Sequence, residues 1–211
     1  MIITRARTII GAAVLLALLA DGCGREVTGV AVGRQDMTGA GNGCTAVSAP
    51  MTPIPTQAND EPRMLIPQPS GWEPTTMLDS EMKRFEMVNE SLTANDFAWV
   101  LVALDSEPGR SEPKTVFDAA RRGIVTEAGG TDMKVTDGTV CGYPAQTLHY
   151  TMAATRLPIA TPATTLTVVV QTPGKTYAAV VNITTTDADN PDYRRAAETM
   201  LTGLQVLPSV L

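Results

Sequence analysis

The hydrophobic pattern changes period along the chain, and each change marks an element. Residues 9–20 are an unbroken run of apolar and small side chains. The run is too short to span a bilayer, which takes roughly 20 residues, and matches a signal-peptide core. After a weakly patterned stretch, residues 64–66 are briefly apolar, and Pro67-Gln-Pro-Ser-Gly-Trp72 turns the chain. Residues 78–89 fit two templates: Glu81, Met82 and Lys83 suit a helix, whereas Phe85, Met87 and Asn89 alternate as in a strand. Residues 94–105 contain Phe97-Ala-Trp-Val-Leu-Val-Ala-Leu104, whose β-branched and aromatic content predicts a strand covered on both faces.

Helical spacing appears at Val116, Phe117, Ala120 and Ile124 and predicts a helix over 113–127. Ser111 or Glu112 is the expected cap, Pro113 is tolerated in the first turn, and Gly129-Gly130 ends the helix. Met133 and Val135 then alternate with polar neighbours. Residues 146–155 alternate clearly, with Leu148, Tyr150 and Met152 on one face and Thr147, His149 and Thr151 on the other. A β-branched strand over 164–171, a Pro173-Gly174 turn and a second strand over 176–185 read as a hairpin. Asn190 and Pro191 open a last helix with Tyr193, Ala197, Leu201 and Leu204 on one face, followed by a short strand at 204–207. Consecutive strands with short turns imply antiparallel pairing, and amphipathic helices must cover a sheet. The expected class is α+β, an antiparallel sheet flanked by two or three helices.

This pattern divides the chain into a signal peptide (1–22), a flexible tether (23–61) rich in Gly, Thr, Ser and Pro, and one domain (62–211). Within the tether, Val27, Val30 and Val32 weakly suggest a strand. Arg5 and Arg7 precede the apolar run, and Ala20-Asp-Gly-Cys23 follows it. A cysteine placed there is the group a bacterial lipoprotein presents for acylation, so Cys23 is the candidate lipidation site. Asp21 departs from the usual motif. The alternative is ordinary cleavage at an Ala-x-Gly site, which releases a soluble protein. The compartment expected is the outer face of the cytoplasmic membrane.

The chain has three cysteines, and an odd count in an exported protein needs an explanation. With lipid on Cys23, Cys44 and Cys141 remain to pair in an oxidising compartment; the alternative is two buried free thiols. A bridge closing a loop of roughly 100 residues is worth about 4–5 kcal/mol by loop entropy alone.

Charge and composition narrow the function. The formal charge is −6, and removing residues 1–22 leaves the remainder one unit more acidic. Without a basic cluster the protein is a poor nucleic-acid binder and a poor candidate for electrostatic docking on anionic lipid. A single histidine and scattered cysteines provide no metal cluster. Neither metal nor cofactor is expected, and a monomer is.

Individual candidates for chemistry each have a simpler structural reading. Trp72 is a ligand-stacking aromatic or a plug for one end of the core. His149 lacks an evident activated nucleophile. Ser111-Glu-Pro-Lys114 matches Ser-x-x-Lys of acyl-transfer enzymes, but no companion Lys-Thr-Gly exists and Ser111 is a natural helix cap. Gly39-Ala-Gly-Asn-Gly43 neither follows a clear strand nor opens a helix, which argues against a phosphate loop. Asp187, Asp189 and Asp192 lack calcium-loop spacing and suit a helix start. Cys141-Gly-Tyr-Pro-Ala145 is a redox site or a bridged turn before a strand.

Taken in order, Ile66-Pro67…Pro69-Ser-Gly-Trp72, the apolar strand around Val100, Cys141-Gly-Tyr-Pro-Ala145, the Thr-rich strand pair and Leu201-Thr-Gly-Leu-Gln-Val206 resemble the mycobacterial LpqN/LpqT-type lipoproteins. The resemblance covers about residues 62–208. It implies a Mog1/PsbP-like fold anchored outside the cytoplasmic membrane and brings no catalytic residues. The resulting expectation is a non-catalytic envelope lipoprotein that binds an envelope protein complex or an amphiphilic envelope molecule. The alternatives are a hydrolase of envelope glycolipid or peptidoglycan, and a structural or antigenic surface protein.

Overall fold

A computed structural model describes residues 43–76, 82–92, 98–154 and 160–209. Among these, strands β1 (Met51–Ile54), β2 (Arg63–Pro67), β3 (Glu73–Pro74), β4 (Lys83–Asn89) and β5 (Ala98–Pro108) precede helix α1 (Pro113–Glu127). Strands β6 (Thr131–Val140), β7 (Tyr143–Met152), β8 (Thr161–Gln171) and β9 (Lys175–Thr184) follow, then helix α2 (Pro191–Gly203) and strand β10 (Gln205–Leu207). The strands form a seven-stranded sheet in the order β3-β4-β5-β9-β8-β7-β6 and a three-stranded sheet in the order β1-β2-β10. Every pairing is antiparallel. The class is α+β, with two helices among the described residues.

Period-two alternation gives the large sheet two unlike faces. On the first, Val100, Val102 and Leu104 of β5 sit across from Ile183, Val181 and Ala179 of β9, and Leu166 and Val168 of β8 continue the row. These residues join Met64 and Ile66 of β2, Val206 of β10 and Tyr193, Ala196 and Met200 of α2 in one core. On the second face, Leu148, Tyr150 and Ala163 form a smaller cluster against Ile124 of α1. The reverse side of β5, at Trp99, Leu101 and Ala103, is only half-buried. The strand is therefore closed on one face, not on both as its near-continuous apolar run predicts.

Residues 78–89 resolve as strand β4 over Lys83–Asn89, while 78–81 lie outside the described residues. The β6–β7 hairpin turns through Cys141 and Gly142, both at positive φ (51° and 83°), as a type I′ turn requires.

The tether assignment is corrected from Gly43 onward. Strand β1 lies inside the segment read as tether and pairs with β2 from Met51↔Pro67 to Ile54↔Met64. Further along, Asp60 accepts hydrogen bonds from the Tyr177 hydroxyl (2.9 Å) and pairs with Lys175 (2.8 Å). Next to it, Glu61 pairs with Arg84 at 2.9 Å, both side chains 8% exposed. Composition hid this because the partners lie far along the chain. The expected signal peptide, Cys23 and the Val27–Val30–Val32 pattern lie outside the described residues.

Candidate functional site

A groove opens where α2 crosses the outer strands of the large sheet. On the helix, Tyr193, Ala197 and Leu201 recur every four residues and form one stripe. On the sheet, the register His149↔Thr164 and Thr147↔Leu166 puts these four residues on the face that α2 packs against. The resulting cleft is about 480 Å³, with Arg194 and Glu198 also in its lining. It shares Thr147, Leu201 and Thr202 with a second cleft of about 290 Å³ that runs toward Asp137, Thr139 and Cys141. The two form one groove, apolar beside Tyr193 and Ala197 and rich in hydroxyls beside β6. Gly43 and Thr45 close its far end.

The disulfide determines that end. Cys44 and Cys141 are joined (S–S 2.03 Å) across 97 positions. The backbone N–H of Val206 donates to Cys141 Sγ at 3.3 Å, which ties β10 to the same point. With Cys141 bonded, no thiol is left there for nucleophilic or redox chemistry.

His149 is exposed in the groove, and its Nδ1 lies 2.9 Å from Thr164 Oγ1. A catalytic base needs a nucleophile on one side and an orienting group on the other. Glu198 lines the same cleft, but no hydrogen bond joins it to His149 among the described residues. The structure thus brings His149 and Cys141 into one groove without assembling a nucleophile and base.

The remaining candidates lie elsewhere. Ser111 and Lys114 sit at the start of α1, where the Thr176 hydroxyl accepts from the Ser111 N–H and Gln171 donates to the Ser111 carbonyl. Lys114 is 83% exposed and pairs with Asp118 along the helix. Hydrogen bonding from Lys114 and then Arg121 holds the Asp118 carboxyl below its ordinary value. Trp72 is 1% exposed, so its ring cannot stack on a ligand. Asp189 and Asp192 pair with Arg194 and Arg195 at the start of α2. Among the described residues, no group of three acidic, His or Cys side chains is placed to hold a metal. Of the glycine-rich segment, only Gly43 is described.

Sequence reasoning assigned Tyr193, Ala197 and Leu201 to a core-facing stripe and missed that part of this stripe borders an open groove. The available signal was the polar face of β7. Thr147 and His149 face the α2 side of the sheet, while the apolar Leu148 and Tyr150 face α1. Burial of Tyr193 pushes its phenol up to about 12, so it is neutral under all ordinary conditions.

No family model matches the chain, and no curated protein does. Solved structures do. One is LpqN of Mycobacterium tuberculosis, described as involved in cell envelope biogenesis. It superposes with a TM-score of 0.62 at 18% identity, covering 75% of this chain and 91% of that one. Another is the Saccharomyces cerevisiae Ran-binding protein Mog1p, with a TM-score of 0.47 and 15% identity, covering 76% of this chain and 97% of that one. The chain shares its α+β fold with LpqN, and at such identity the likeness is one of fold.

Proposed function

We propose that the chain is a binding module of the cell envelope, without catalysis of its own, that takes the apolar part of an amphiphilic envelope molecule in the groove between α2 and strands β7 and β8. One observation carries this reading: an open groove walled by Tyr193, Ala197 and Leu201 runs into a hydroxyl-rich end, with no nucleophile–base pair among its described residues. Clefts of this kind, mostly apolar with a few placed polar groups, are the usual form of a small-molecule site. The envelope assignment draws support from the apolar run at 9–20, from Cys23, and from the description of LpqN. In this reading Cys23 is acylated at the outer face of the cytoplasmic membrane.

The test is titration of the protein with a fluorescent fatty acid, using Ala197→Trp to fill the groove. Saturable binding that falls at least ~10-fold in the variant supports the proposal, a loss of about 1.4 kcal/mol. Equal binding by both proteins, or none by either, overturns it. Thermal unfolding of the variant checks that the fold survives.

A further inference from the structure

The seven-stranded sheet ends on β6, and among the described residues β6 pairs only with β7. The strand is exposed along almost its whole length. The other sheet edges are blunted: β3 is two residues ending in Pro74, β1 contains Pro53, and β10 has three residues. Shortness and proline are how sheets avoid unwanted pairing. In β6 such protection is confined to the first half, where the register shifts between Thr131 and Lys134 and a lysine stands. Residues 135–140 contain no proline, lysine or register shift.

The hairpin turn determines which backbone groups point outward. In a two-residue turn the flanking pair, here Val140↔Tyr143, exchanges hydrogen bonds across the hairpin. Pairs then alternate, so Thr139↔Pro144, Asp137↔Gln146 and Val135↔Leu148 do not. Pro144, which has no N–H to give, fits that phase. The N–H and C=O groups of Val135, Asp137 and Thr139 therefore point away from β7. Among the described residues no loop hydrogen bond reaches them. Spaced two apart, they are the half-ladder that an added antiparallel strand completes.

Their side chains select the strand. All three lie on the α1 face, because Leu148, opposite Val135, packs against Ile124. Val135 is 42% exposed. The Asp137 carboxylate is exposed too, and Gln146 Nε2 donates to it at 2.7 Å. Among the described residues no cation pairs with it. A second copy matches this edge badly. The two-fold pairing that uses all three outward residues puts Val135 opposite Thr139 and the two Asp137 side chains opposite each other, and like charges so placed repel. A cationic residue at that point reverses the sign. We infer that β6 is a docking edge for an extended segment of another protein, paired antiparallel, with lysine or arginine opposite Asp137 and a β-branched apolar residue opposite Val135. This edge does not depend on what the α2 groove holds.

The probe is the peptide acetyl-Ser-Thr-Thr-Lys-Thr-Val-Ser-amide, titrated into the ¹⁵N-labelled full chain. Saturable amide shifts centred on residues 135–139 are expected. N-methylation of the lysine and of the residues two before and two after it removes the N–H groups that face β6. Binding then weakens at least ~10-fold, whereas methylating the residues between them changes it less than ~2-fold. Glutamate in place of the lysine weakens binding ~5-fold. Val135→Pro deletes one outward N–H, spares the β6–β7 ladder and weakens binding ~5-fold, with a thermal melt to check the fold. No saturation by the lysine peptide, equal losses from the two methylation patterns, or indifference to the lysine each overturn the inference. So does a dimer in sedimentation that Val135→Pro dissociates, since it gives the edge to a second copy.

Discussion

Helices α1 and α2 are built to the same plan from different sequences and are buried to very different extents. Each is amphipathic, with proline in the first turn and a length of 15 or 13 residues. Yet α1 buries only Phe117, whereas α2 buries Tyr193, Ala196, Met200 and Gly203. The difference originates in the sheet. The face under α2 is a continuous apolar surface shared with β2 and β10. The face under α1 is partly polar: Asn182 donates to the Tyr150 hydroxyl (3.0 Å) and to Thr165 (2.8 Å). A helix is drawn in only as far as the opposing face rewards burial. So α2 is a wall of the core with enough reach left to border a groove, and α1 is a strap laid over a half-wet surface.

The strongest way to break this comparison is to delete one anchor from each helix. Met200→Ala removes a side chain that is 0% exposed and should cost about 3–5 kcal/mol in denaturant unfolding. Phe117→Ala, from a residue 8% exposed on a thinly covered face, should cost about half as much despite the larger side chain. The reverse order would mean that α1 is the true core helix. Next in size is the disulfide, which fastens only the α2 side, through the hydrogen bond from Val206 to Cys141 Sγ. Cys44→Ser with Cys141→Ser should cost about 2–4 kcal/mol. It should also weaken fatty-acid binding, because Gly43 and Thr45 close the groove. A reduced protein that unfolds at the same denaturant concentration as the oxidised one would remove that role.

The same asymmetry explains what could be read from the sequence. Helix α1 was legible from Pro113 to Glu127, and so were the Asn190–Pro191 start of α2, the Pro173-Gly174 hairpin and the pairing candidates Cys44 and Cys141. Each is a local pattern or a matter of counting. Strand β1 was not legible, because Met51–Ile54 contains a proline and gains its strand character from pairing with β2. Nor was β3, two residues held only by β4. The division into two sheets depends on β10 returning to β2 across some 140 residues, which no local period encodes. The groove was half visible: its polar strand face was read correctly as polar, but polarity alone suggests solvent and not a wall opposite α2.

A smaller test concerns how each helix begins. Asn190 Oδ1 accepts from the N–H groups of Asp192 (2.9 Å) and Tyr193 (3.3 Å), and its Nδ2 donates to the Leu92 carbonyl at 2.8 Å. In α1, Glu112 makes no side-chain cap. Asn190→Ala should therefore cost about 1–2 kcal/mol. Glu112→Asn should stabilise by up to about 1 kcal/mol, since it adds a cap where none exists. Thermal melts measure both. A destabilised Glu112→Asn variant would show that the α1 start is constrained by the Thr176–Ser111 and Gln171–Ser111 bonds instead.

The finest distinction is between two carboxylates. Hydrogen bonds hold both Asp60 and Asp118 below the ordinary value of 3.8, from Lys175 and then Tyr177 for Asp60, and from Lys114 and then Arg121 for Asp118. Asp118 links residues within one exposed helix, whereas Asp60 reaches a tyrosine 117 positions away whose ring is in the main core. A depressed carboxyl stabilises the fold above its unfolded value, and the contribution is lost as pH falls through the folded value. Asp60→Asn should therefore unfold more easily than the parent at neutral pH. The gap should stay constant down to about pH 5, start to close near 3.8 and vanish only below the lower folded value, where the parent's own carboxyl is protonated in the folded state too. Asp118→Asn should show the same pH window with a smaller gap, because partners three and four positions away are already neighbours in the helix and exposed pairs contribute little. Chemical unfolding of both variants from pH 7 to pH 2 measures the two gaps. Equal gaps would mean that the Asp60 clasp is no more than a surface ion pair, and that the segment before β2 is held by β1, the disulfide and the Glu61–Arg84 pair instead.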